Sequence, residues 1–262
     1  MRLLQVILFF IVCGPLLAQG ELDTQEKIFW RNERSIGLML NSDGTGFLYR
    51  ELRQTKPSQR YFLEGGINFL KDPKEYKMTT YPYLSSTKIV FGKLNSTWTI
   101  RAGFGYQKEM FEKRDLGGVS ISWFVGGGPA LTFAKPIYYQ IIQLVSPDSY
   151  TLEEQKFDIT IHQPLDIYGK ASFFKGLDET KLYPGFYTHG GFNFEYSKND
   201  KLTHSLELGA SFSGFSAKIP IMATEENKQF FPSLYVCYRL GFILDPLKPG
   251  KLFPNLLRHK EE

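Results

Sequence analysis

Apolar and polar residues alternate with a period of two through most of this chain, the pattern of strands that show different surroundings to their two faces. From Thr97 to Gln107, Trp98, Ile100, Ala102, Phe104 and Tyr106 share one face, and Thr97, Thr99, Arg101, Gly103, Gly105 and Gln107 share the other. The apolar face has aromatic rings at both ends and smaller groups between. Ser35–Asn41 (Ile36, Leu38, Leu40), Tyr61–Phe69 (Tyr61, Leu63, Ile67, Phe69) and Gly118–Val125 (Val119, Ile121, Trp123, Val125) behave alike. So do His189–Tyr196 (Phe192, Phe194, Tyr196), Ser205–Phe212 (Leu206, Leu208, Ala210, Phe212) and Leu234–Phe242. Gly46–Arg53 is the poorest of the set, because Arg50, Glu51 and Arg53 leave neither face clean.

These segments predict eight strands. Their even-numbered connections are short (Gln54–Arg60, Lys108–Gly117, Ser197–Leu202), whereas three of the odd-numbered ones are long: Lys71–Ser96, about Lys135–Pro184, and Ser216–Gln229. The remaining odd connection is the tight hairpin Ser42-Asp43-Gly44-Thr45. Short turns on one side and long loops on the other are the signature of an up-and-down outer-membrane barrel. A ten-strand count stays open, with Thr87–Phe91 and the weakly alternating Phe157–Ile161 as the extra strands. Lys170–Asp178 reads as a short helix. The strand from Gly118 is expected to run on through Leu131 and Phe133, kinked at Gly126-Gly127-Gly128.

Export sharpens this picture. Arg2, the apolar run Leu3–Val12, the break at Gly14-Pro15 and the small-x-small Ala18-Gln19-Gly20 read as a signal peptide over residues 1–20. Residues 21–244 are then the barrel, and 245–262 a periplasmic tail, with Leu252-Phe253 and Leu256-Leu257 as a less favoured docking peptide. Cys13 leaves with the leader, so Cys237 has no intrachain disulfide partner. Aromatic residues make up 16% of the chain, an excess that favours strands. A net charge of +4 without a basic stripe gives no reason to invoke nucleic acid.

A soluble sandwich also alternates, so the choice rests on which face is polar. Here the polar faces are rich in Gly, Ser and Thr with isolated charges, as in a narrow packed lumen. The fold class is therefore all-β: a closed antiparallel transmembrane barrel. Trp98, Tyr106, Trp123, Phe194 and Tyr196 are expected to face lipid. Glu64, Arg101, Glu195, Glu207 and Arg239 are expected to point inward and pair as a lumen ionic network, since an unpaired charge there costs several kcal/mol. The lumen is then plugged rather than an open pore.

Three stretches, Val90–Ser96, Gly127–Leu131 with Lys135–Tyr139, and Ile167–Leu177, resemble a largely uncharacterised family of Bacteroidota outer-membrane β-barrel proteins. The resemblance implies the barrel and the outer membrane, and carries no catalytic or ligand residue across. Other candidate chemistry is weak. His189 reads as a satisfied lumen or rim residue, and His162 as part of a solvated loop. Asn41–Gly46 lacks the later Glu of a calcium loop and reads as a turn. Gly126-Gly127-Gly128 has no Gly-Lys-Ser/Thr after it and is not a phosphate loop. No cofactor or metal is expected. The expected partners are outer-membrane lipid and another envelope protein or surface glycan, with the long loops doing the binding. Transport of a solute and a rim hydrolase are the alternatives.

Overall fold

The computed structural model describes residues 32–79, 88–112, 118–146, 149–199, 202–224 and 226–244; the expected leader and tail lie outside them. Alternation becomes a sheet that closes on itself. Eight strands form it: β1 (Asn32–Asn41), β2 (Gly44–Lys56), β3 (Gln59–Leu70), β6 (Asn95–Phe111), β7 (Val119–Pro136), β11 (Lys181–Asn199), β12 (Leu202–Phe215) and β13 (Phe230–Leu244). Each pairs antiparallel with the next in the chain, and β1 closes on β13 from Asn32↔Leu244 to Asn41↔Tyr235. Closure satisfies the backbone groups that an edge strand would leave bare, which is what a sheet inside hydrocarbon requires.

The two faces separate cleanly. Ile36, Leu38, Leu40, Phe47, Leu63, Ile67, Phe104, Val125, Phe192, Leu208, Leu234 and Val236 point outward from strands all round the barrel and are exposed, Leu234 to 71%. Trp98, Tyr106, Trp123, Phe194 and Tyr196 share this outer face, all but Tyr196 (43% exposed) half-buried. Towards the long-loop end, Trp98 stacks on Phe133 at 4.1 Å and 4°. Towards the other end, Tyr106 meets Trp123 edge-on at 5.5 Å. Inside, Thr99 and Thr132 share a 2.6 Å hydrogen bond and Gln107 donates to Ser122 at 2.7 Å. Gly105 faces inward by strand alternation, and the Phe62 ring occupies the space that a Cβ there would need.

The expected eight strands form the barrel, and the ten-strand alternative falls away. Several finer expectations are corrected. Ile89–Val90 (β5) only pairs with Lys77–Met78 (β4) in a loop ribbon, and Phe157–Ile161 is not a strand. The strand lies just before it: Ser149–Lys156 (β9) pairs with Tyr138–Ser146 (β8), and β8 with Ile167–Lys170 (β10). Lys170–Asp178 is a strand end followed by turns, not a helix. The expected run-on through Leu131 and Phe133 is borne out: β7 continues to Pro136, its register to β11 unbroken through Gly126-Gly127-Gly128. β2 does have two clean roles: Arg50 points inward, while Glu51 and Arg53 point outward and, with Arg34, form a surface ion cluster.

Candidate functional site

Three layers stack along the barrel axis. The middle layer is ionic. Arg50 of β2 donates to Glu64 Oε2 through Nε (3.1 Å) and Nη2 (2.9 Å), and to Glu207 Oε1 through Nη1 (2.5 Å). Its guanidinium lies 4.0 Å from the Phe62 ring centroid, a cation–π contact in a desolvated place. Arg239 Nε is 2.8 Å from Glu207 Oε1, and its Nη2 is 4.0 Å from Glu64 Oε2. Tyr187 donates to Glu64 Oε1 at 2.9 Å, and His189 Nε2 stands 2.7 Å from the same oxygen. Arg50, Glu64, Glu207 and Arg239 are each at most 6% exposed. Two guanidinium groups thus face two carboxylates, so the set balances without solvent.

The five charges read from the sequence do not form one network. Glu64, Glu207 and Arg239 meet here, with Arg50, which the reading left unassigned. Glu195 belongs to a second group towards the terminus end, where Arg60 lies 3.6 Å from it and donates to Glu109 at 3.0 Å. Arg101 is buried yet makes no ion pair among the described residues; its guanidinium lies 5.1 Å from the Tyr187 ring centroid. In the structure Arg50 shares its face with Gly46, Leu48 and Leu52, and it lies opposite Glu64 in the register of β2 and β3.

The upper layer is apolar. The β12–β13 connection folds into the mouth and buries Ile219, Ile221 and Met222 against Leu70, Val90, Ala134, Phe215 and Phe231. Asn227 holds this plug in shape, accepting from the Ile221 amide (3.1 Å) and donating to the Met222 and Thr224 carbonyls. Asn95 donates to the Pro220 carbonyl at 2.6 Å and ties the plug to β6.

Above the rim stands a folded platform, the sheet β10-β8-β9 with the ribbon β4-β5. Its core is Ile89, Tyr139, Ile141, Phe157 and Ile167. His162 is buried, not solvated: its Nδ1 accepts the Asp158 amide at 3.1 Å, which leaves Nε2 to donate to Gln155 Oε1 at 3.1 Å. In the lumen, His189 Nδ1 is 3.0 Å from the Tyr235 hydroxyl. Both histidines are held by protein on two sides. Within Asn41–Gly46 only Ser42 and Asp43 form the hairpin turn, after which Gly44 opens β2 with a positive φ of 151°.

A closed eight-stranded barrel, greasy outside and ionic within, defines the class: transmembrane β-barrels with a side-chain-filled interior. No family model and no curated protein matches the chain. Among solved structures it is similar to Neisserial surface protein A, NspA (10% identity, 81% of this chain and 96% of that one, TM-score 0.35). It is also similar to Ail, the attachment invasion locus protein of Yersinia pestis, in complex with the heparin analogue sucrose octasulfate (7% identity, 82% and 100%, TM-score 0.36). A further structure of Ail matches at 5% identity over 82% of this chain and 97% of that one, with a TM-score of 0.36.

Proposed function

We propose that this chain is an integral outer-membrane protein of a diderm bacterium that binds another envelope component through its long loops and does not conduct. The observation that carries the reading is the asymmetry of the filled barrel. The lumen is closed by the Arg50–Glu64–Glu207–Arg239 set and again by the Ile219–Ile221–Met222 plug. Ordered structure beyond the barrel is built on the long-loop side alone among the described residues. In an outer membrane that side faces outwards. The non-enzymatic reading and the kinship with Bacteroidota barrels belong to the same proposal. The three stretches behind that kinship run into the platform and its junction with β6 and β7.

A second reading, passage of a hydrophobic solute, has one observation in its favour. Where Pro129 and Gly128 lie beside Ala102 and Gly103, the β6–β7 pairing is interrupted, and a cavity of about 450 Å³ opens on the outer wall between Tyr49, Leu63 and Phe104. Planar-bilayer recording separates the two. The closed barrel gives no stable single-channel steps; reproducible steps from the purified protein would reject it.

A further inference from the structure

A second cavity, of about 300 Å³, lies under the platform at the rim of the barrel wall. Five of its lining residues are lysines: Lys71, Lys77, Lys93, Lys135 and Lys170; its one acidic residue is Glu75. Lys93 is paired with Glu75 at 2.6 Å. The other four have no ion-pair partner among the described residues. Lys135 is the telling one. It is only 5% exposed, and its hydrogen bond is a 3.4 Å contact to the Pro136 carbonyl beside it. An ammonium group taken from water without a counter-ion is costly, and an anion in the cavity would offset that cost.

The position of the cavity says which anion. Ser96 pairs with Lys135, and two residues further into the barrel Trp98 pairs with Phe133. Strand alternation puts all four on the outer face. The cavity therefore sits directly above the stacked Trp98–Phe133 rings, at the level where an apolar belt gives way to headgroups. The turn that roofs it carries Phe173 and Phe174, 63% and 77% exposed, and Lys135 lies 5.1 Å from the Phe173 ring centroid. Exposed aromatic rings flanked by Lys170 and Lys175 suit a lipid–water boundary.

We propose that this cavity holds the phosphate of an outer-leaflet lipid headgroup, with the acyl chains of that lipid lying along the Trp98–Phe133 face. The hydroxyl of Ser96 and that of Ser172 are further donors within it. The inference rests on the membrane reading above and names one ligand of that surface.

The test uses the full-length protein in phosphatidylcholine nanodiscs doped with equal amounts of phosphorylated and fully dephosphorylated lipid A. Native mass spectrometry reads which lipid is retained. The phosphorylated form is expected to be retained about tenfold over the other, and removal of two lysines, as in Lys135→Met with Lys170→Met, to cut retention by about fivefold per lysine. Lys156→Met, outside the cavity and paired with Glu179, leaves retention unchanged. Folding is checked by the gel shift between heated and unheated barrel. Should the Lys135→Met change unfold the protein, the exposed pair Lys71→Met and Lys170→Met carries the test. Equal retention of the two lipids, or wild-type retention in the folded double variants, overturns the proposal. Binding of inorganic phosphate in lipid-free detergent as tightly as of phosphorylated lipid assigns the site to a soluble anion and overturns the lipid assignment. Failure to insert into the nanodisc at all defeats the membrane reading, and this inference falls with it.

Discussion

At the residue scale, the lumen is decided by charge balance. Glu207 is wholly surrounded, and both Arg50 and Arg239 lean on it. Glu207→Ala leaves two guanidinium groups facing Glu64 alone. Breaking a buried pair in this way is expected to cost about 3–5 kcal/mol, read as a fall in the urea midpoint of tryptophan fluorescence in detergent. A loss under about 1 kcal/mol would mean that water reaches the cluster. The inward position of Glu207 and Arg239 was legible because each sits between two outward apolar residues, Leu206 and Leu208 or Tyr238 and Leu240, and that of Glu64 because Tyr61, Leu63, Ile67 and Phe69 mark the opposite face. Arg50 was not, because Glu51 follows it immediately and Arg53 shares the face of Glu51. Period-two reading cannot tell a lumen arginine from charges at the lipid boundary when both occur within four residues.

At the element scale, every barrel strand was legible, since each has one face in contact with solvent or lipid and the other packed. The platform strands were not. β9 is exposed along nearly its whole length, so no face had to be apolar, and β8 carries its apolar residues as pairs (Tyr138-Tyr139, Ile141-Ile142) instead of alternately. The same element offers a pH test. Tyr139 is buried, donates to the Val90 carbonyl at 2.8 Å, and has its pKa pushed up to about 12 by desolvation. Its neutral form is the one the fold prefers. The stabilisation is therefore intact below about pH 10, the ordinary tyrosine value, and is lost as pH rises from about 10 to about 12. Protection factors across 138–146 and 149–170, taken against the intrinsic base-catalysed exchange rate at each pH, are expected to fall over that window, while those of the barrel strands hold. In Tyr139→Phe the platform should show no such titration; an unchanged profile would place the transition elsewhere.

At the scale of the whole molecule, the first and last of the described strands meet. β1 and β13 close the wall, and the sheet order β12-β13-β1-β2-β3 places strands from both termini side by side. Glu64 and Arg50 come from the early part of that arc, Glu207 and Arg239 from the late part. The contacts that cross between the two parts, Arg50 to Glu207 and Arg239 to Glu64, exist only in the curled sheet.

That arrangement bears on how such a wall could ever enter a bilayer. A partial sheet ending at β12 would offer hydrocarbon two raw backbone edges and a Glu207 lacking Arg239, so hydrocarbon should accept the cylinder only once its last stave is in place. Chains ending at Gln229 are accordingly expected to remain extractable by carbonate and open to protease, where the whole chain resists both. Firm insertion of the shortened chain would show that the seam between first and last strand is dispensable.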